Sequence, residues 1–150
     1  MTALNHVDWM RRALAELGTV PPGDIPVAAI IVHEDKQIAA GVNRREADRS
    51  PLAHAEIVAL EAAARVLGRW NLADCDLYVT LEPCIMCCGA ILQARVRSVT
   101  FGAYDPKAGG ASSLFTLLND PRLPHRVELR GGILEMECAA PIREFFRLRR

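Results

Sequence analysis

Apolar and polar residues along this chain follow two different periods, and each change of period marks a new element. Met10, Ala13, Leu14 and Leu17 recur at i, i+3, i+4 and i+7, the spacing of one buried helical face. A helix is predicted from about Asn5 to Leu17, with Gly18 as its C-terminal cap. Thr19 to Asp24, which holds Pro21, Pro22 and Gly23, reads as a loop. Val27-Ala28-Ala29-Ile30-Ile31-Val32 then runs apolar without a break at strand length, the pattern of a central strand covered on both faces. Glu34-Asp35-Lys36 is polar enough to turn the chain, and Gln37 to Val42 returns as the hairpin partner.

Helical spacing resumes at Ile57, Leu60, Ala64 and Leu67, which share a face before Gly68 stops the segment, so His54 falls in the first turn of a helix. A strand follows at Leu77 to Leu81. Pro83, at a first helical position, opens the helix that carries Cys84 and Cys87 and continues through Gly89-Ala90-Ile91-Leu92. Ser98 to Gly102 is the next strand, Asp105 to Gly110 a loop, Leu114 to Leu118 a short helix and Val127 to Arg130 a short strand. Glu135 to Arg149 forms a terminal helix interrupted or kinked by Pro141. Elements in this order build a three-layer α/β/α sandwich on a mixed five-stranded sheet, not a parallel doubly wound fold.

Composition narrows the class. The 150 residues, 51% of them hydrophobic, suit a single domain over residues 1–150 with a substantial core. No run of about eighteen apolar residues occurs, and Met1-Thr2-Ala3-Leu4-Asn5 lacks a charged lead into an apolar stretch, so a soluble, cytoplasmic protein without membrane association is expected. Five cysteines, two of them in one short motif, do not make a disulfide framework, and Cys75, Cys88 and Cys138 read as small buried hydrophobes. Net charge is zero, with 18 basic and 18 acidic residues, so no global field advertises nucleic acid. The stretch from Arg143 to Arg150 nevertheless carries four Arg against one Glu. That excess suits a helix C-terminus as well as it suits a phosphate.

The chemistry concentrates in Pro51-Leu52-Ala53-His54-Ala55-Glu56 and Pro83-Cys84-Ile85-Met86-Cys87. One imidazole and two thiolates are a good Zn²⁺ set and leave the fourth position of the metal to water, whose pKa the ion lowers toward neutrality. His54, Cys84 and Cys87 are the expected ligands, and Glu56, left over, is the expected proton carrier. Two plainer readings stand beside this one. A Cys-x-x-Cys between strand and helix also suits a dithiol, which leaves His54 and Glu56 without a role. Cys88, four residues after Cys84, also suits the fourth ligand of a closed structural site.

His-x-Glu joined to Pro-Cys-x-x-Cys is the known signature of zinc nucleobase deaminases. Beyond it, Leu77-Tyr78-Val79-Thr80-Leu81-Glu82-Pro83-Cys84, Phe101-Gly102-Ala103, Asp105-Pro106-Lys107, His125-Arg126-Val127-Glu128, Phe145-Phe146-Arg147 and Arg149-Arg150 resemble bacterial tRNA-specific adenosine deaminases over nearly the whole chain. The resemblance implies a cytidine deaminase-like fold and a homodimer that converts the wobble adenosine of a tRNA anticodon to inosine with one Zn²⁺ per chain. It also implies that Asn43 bonds the extruded nucleoside and that the Ala55 amide faces the reacting oxygen. Lys107, Arg126, Arg143, Arg147, Arg149 and Arg150 are the candidate contacts to the anticodon stem-loop. The chain departs from the family pattern at Ala28, Cys88, Tyr104 and Pro124, and Pro141 bears on the aim of the basic tail. A free base or nucleoside, such as cytosine, cytidine or guanine, is the alternative substrate, and a non-catalytic zinc-stabilised RNA-binding domain is the third reading.

Overall fold

In the computed structural model, which describes residues 3–149, four helices and five strands follow one another as α1 (His6–Ala15), β1 (Ala28–His33), β2 (Lys36–Val42), α2 (Ala55–Leu67), β3 (Cys75–Leu81), α3 (Ile85–Ala94), β4 (Ser98–Ala103), β5 (Glu128–Arg130) and α4 (Glu135–Arg147). The strands lie in the order β2-β1-β3-β4-β5. β1 runs antiparallel to both of its neighbours, while β3, β4 and β5 run parallel. The sheet is therefore mixed, and helices cover both faces, as the order of elements implies.

β1 explains its own apolar run. Ala29 and Ile31 point into the core beneath α2 and α3, where they meet Ala59, Leu60, Leu77 and Ile91. Ile30 and Val32 point into the opposite core, where they meet Trp9, Met10 and Ala13 of α1 and Cys138 of α4. A strand buried on both faces has no polar side to show. Its turn into β2 is made by Glu34 and Asp35 alone, both with positive φ (50° and 59°), the two-residue geometry that matches strand twist.

Several local expectations are corrected. α1 starts where predicted, with Asn5 and Asp8 bonding each other's backbone amides at 2.8 and 3.1 Å. It ends at Ala15 in a 3-10 turn over Glu16–Thr19, and Gly18 does not adopt the left-handed conformation of a cap. The segment Leu114 to Leu118 is not a helix; only Leu117–Asn119 forms a 3-10 turn. Leu114 and Leu117 donate their amides to Gly109 and Gly110 instead, which holds so short a segment in turns. α4 passes through Pro141 without interruption. Its first half is anchored by Cys138, packed so closely on β4 that a Cβ at Gly102 would overlap the sulfur.

α2 is turned from the predicted face. Glu56, Ala59, Leu60 and Ala63 are buried against the sheet, whereas Ile57 and Ala64 are only partly covered and look toward α3 and Trp70. The helix is apolar through a wide arc, and the sheet took the strip beginning at Glu56. Gly68 caps it with φ 68°, as its position predicts.

Candidate metal centre and pocket

Two helix N-termini converge above the sheet. His54 is the N-cap of α2, just before the first turn in which it was expected, and Cys84 is the N-cap of α3, with Cys87 in its first turn. Pro83 therefore precedes the helix and does not occupy its first position. Extended backbone at both caps swings His54 and Cys84 off the helix axes toward each other (ψ 154° and 179°). The His54 Nδ1 stands 3.6 Å from the Cys84 Sγ and 3.5 Å from the Cys87 Sγ. One ion bound at roughly 2.0–2.3 Å in tetrahedral geometry requires ligand separations of about this size.

Of the three donors, Cys84 is already in the chemical state a metal takes. Bonding to the Cys87 thiol and to His54 holds the Cys84 thiol down at about 4, against burial, which opposes it. Cys84 is thus ready as a thiolate, the form a metal takes. Cys87 moves the opposite way, raised by the same bond to Cys84 and by its burial. Cys88 turns away: its buried Sγ lies 3.7 Å from the Pro83 carbonyl, and its side chain packs in the core with Ile91 and Ala111. Among the described residues, His54, Cys84 and Cys87 form the one group able to hold a metal, and Cys88 does not complete it.

Beside the trio lies a pocket of about 240 Å³ lined by Asn43, Arg45, Ala55, Glu56, Asp105 and Ala108, among others. Glu56 occupies the first turn of α2 on its sheet-facing side and is 4% exposed. Burial pushes its carboxyl up to about 7. Asn43 is tied down: its amide donates to the Ile25 carbonyl at 3.1 Å and accepts the Arg45 amide at 3.2 Å. One N–H and one lone pair of that side chain are left for a ligand.

The expected basic contacts are scattered. Lys107 is exposed on the loop that gives Asp105 and Ala108 to the pocket. Arg126 is exposed just before β5, and Arg143 and Arg147 lie on α4. Arg147 bonds Glu144 at 2.5 and 2.9 Å, and Arg149 lies 3.5 Å over the Phe145 ring. Arg150 lies outside the described residues. None of the described five lines the pocket.

Three residues that sequence reasoning passed over shape the site. Arg45 lines the pocket directly. Asp24, 3% exposed, accepts the amides of Glu46 and Ala47 at 2.7 and 3.1 Å and so fixes the segment after Asn43. Glu82 does the same for the opposite wall. The available signal for both was a carboxylate set close to a strand with no nearby cation in sequence.

The chain matches the family described as the cytidine and deoxycytidylate deaminase zinc-binding region over residues 4–103. The tRNA-specific adenosine deaminase of Bacillus subtilis is 41% identical over 140 residues, spanning 93% of this chain and 87% of that one. The protein of the same name from Haemophilus influenzae is 41% identical over 129 residues, spanning 85% and 75%. A structure solved in work on A-to-I editing by tRNA:A34 deaminases superposes with a TM-score of 0.84 at 37% identity, covering 88% of this chain and 96% of that one. Guanine deaminase from Nitrosomonas europaea gives 0.81 at 26%, covering 97% and 86%. The metal this donor set holds is zinc, since the matched region is a zinc-binding one and the three donors lie within it. With its fold, its metal donors and its relatives in agreement, the chain belongs to the zinc-binding cytidine and deoxycytidylate deaminase family, among the tRNA-specific adenosine deaminases.

Proposed function

We propose that residues 1–150 form one deaminase domain that hydrolyses adenosine to inosine, releasing ammonia, at the wobble position of a tRNA anticodon. The observation that carries the chemistry is the opening of the His54, Cys84 and Cys87 group onto the pocket that also holds Glu56. The substrate rests on the relatives, since those named for tRNA share 41% identity with this chain and the guanine deaminase 26%. At about 240 Å³ the pocket is small beside the roughly 300–1,000 Å³ of sites for drug-sized ligands, which suits one extruded base.

Zinc, when bound, is the Lewis acid that makes water a nucleophile at neutral pH. Glu56 takes one proton from the attacking water and passes it to the ring nitrogen beside C6, then takes the second from the new C6 hydroxyl and gives it to the departing amine. A carboxyl held near neutrality serves both steps, because it gains and loses its proton with little cost. Asn43, fixed by Ile25 and Arg45, orients the nucleoside with its free N–H and lone pair. The Ala55 amide, first in α2, lacks a partner within its own helix and points its dipole at the developing charge.

The chain acts as a cytoplasmic homodimer in this reading. No helix among the described residues is long and apolar enough to cross a membrane. Ile57, Leu60, Ala64, Leu72 and Ala90 line an apolar groove between α2 and α3, with Trp70 66% exposed at its side, a surface suited to a second copy. Lys107, Arg126, Arg143, Arg147, Arg149 and Arg150 carry the phosphate contacts.

The test is deamination by the zinc-loaded protein of an anticodon stem-loop with adenosine at the wobble position, beside cytosine, cytidine, guanine and free adenosine. Inosine in the stem-loop alone is the expected outcome. Turnover of a free base or nucleoside with the stem-loop untouched overturns the substrate.

A further inference from the structure

We propose that Glu82 is a positioning residue: its carboxylate hangs the loop from Asp105 to Ser113 on the Cys84 end of α3 and so sets the pocket wall that meets the substrate. The inference rests on the deaminase reading above. Glu82 directly follows β3 and is 2% exposed. Its Oε1 accepts the Asp105 amide at 3.0 Å and the Ser113 hydroxyl, and its Oε2 accepts the amides of Ser112 and Ser113, each at 2.8 Å. Four donors fill the four acceptor sites of a carboxylate, and all of them come from one loop. Burying a charge is costly unless it is bonded in this way.

The fit is close on the other side as well. A Cβ on Gly109 would overlap the Glu82 carboxylate, so the loop approaches as only glycine permits. Gly110 donates its amide to the Pro83 carbonyl at 2.8 Å, and Gly109 pairs with Cys84 as an isolated bridge. The metal-ligand turn and the pocket wall are thereby joined through the Glu82 side chain and through these two backbone contacts. Glu82 does not line the pocket, whereas Asp105 and Ala108 do. It acts through them.

Glu82→Gln keeps the shape but replaces two acceptor sites by N–H donors that face loop N–H groups. KM for the wobble-adenosine stem-loop is expected to rise about tenfold, kcat to stay within about threefold, and zinc to stay at one per chain. Amide exchange at Asp105, Ser112 and Ser113 should quicken. Gly109→Ala, which pushes the loop off with the charge intact, should do the same. Faster exchange with KM unchanged overturns the proposal, as does loss of zinc from either variant. Should both variants fail to fold, Ser113→Ala decides, because it removes only a hydroxyl donor: a KM rise of about twofold or more supports the proposal and an unchanged KM overturns it. A wild-type protein inert on the stem-loop defeats the tRNA reading separately, and the same KM comparison then runs on whichever base or nucleoside it deaminates.

Discussion

The Nδ1 of His54 and the Sγ of Cys87 stand 3.5 Å apart although thirty-three residues separate them in the chain. That proximity joins the start of α2 to the start of α3, so a metal held there ties together two elements that otherwise meet through side-chain packing. The three donors come together only on folding, so zinc favours the folded state, and at a free concentration of about 100 Kd it contributes at most about 2.7 kcal/mol. A chelator should lower the melting temperature, and added zinc should restore it. Cys87→Ser should melt at the chelated value with or without zinc.

Glu56 is separable from the metal. It contributes to the pocket and not to the metal donor group, so Glu56→Gln should retain one zinc per chain while kcat falls about 10²-fold or more. Metal analysis beside single-turnover deamination checks this. A variant that has lost its zinc would make Glu56 part of the metal support.

The contrast between these two predictions follows what was legible in the sequence. His54 with Glu56 and Cys84 with Cys87 form two short patterns whose chemistry requires them together, so the trio could be named before its geometry. The face of α2 could not. Glu56, Ala59, Leu60 and Ala63 also follow a helical spacing and share Leu60 with the predicted stripe, but a search for apolar periodicity discards a strip that begins with glutamate. The functional carboxylate hid the buried face of its own helix. Glu82 was hidden for a different reason, because its partners are mostly backbone amides 23 to 31 residues away, and an amide has no side-chain signature. β1 was legible because both of its faces are buried, while the stretch from Leu114 was misread because turn bonds to Gly109 and Gly110 outweigh a local helical preference.

Cys88 divides a catalytic centre from a closed structural one. Its thiol is directed at the Pro83 carbonyl, away from the metal donors, and burial raises it to about 12, which keeps it a thiol. Cys88→Ala should therefore keep one zinc per chain and an unchanged kcat. Its cost should be about 1 kcal/mol of stability, the loss of one buried heavy atom from the core. Denaturant unfolding and metal analysis on the same sample check both halves, and reduced zinc binding would restore the closed-site reading.

Asp76 predicts an acid limb of stability away from the active site. Burial raises its carboxyl, but two bonds from Arg97 at 3.1 and 2.7 Å and one from Ser98 at 2.5 Å outweigh that and leave it below its ordinary 3.8. A depressed folded pKa means that the unfolded chain takes up the proton first. The stabilisation is thus complete above the unfolded value and is lost as pH falls through the folded one. Asp76→Asn should cost about 1 kcal/mol at neutral pH, allowing for the half-exposed guanidinium, and the gap to wild type should close below pH 3.8. Urea unfolding at several pH values measures it, and a gap constant down to pH 2 would defeat the argument.

The basic residues differ in how free they are to meet phosphate, and binding of the stem-loop should rank them. Each released counterion steepens the fall of affinity with salt, so losing one phosphate contact reduces that slope by about 1. Lys107, exposed on the pocket loop, should show the full reduction on mutation to alanine. Arg147 is already engaged by Glu144, so a phosphate must compete with that carboxylate, and Arg147→Ala should reduce the slope less. Glu144→Ala sharpens the comparison: it frees Arg147, and binding should tighten and grow steeper in salt if the end of α4 touches the RNA. Affinity and slope both unchanged in Glu144→Ala and Arg147→Ala would place the end of α4 off the RNA and leave phosphate contact to the residues nearer the pocket.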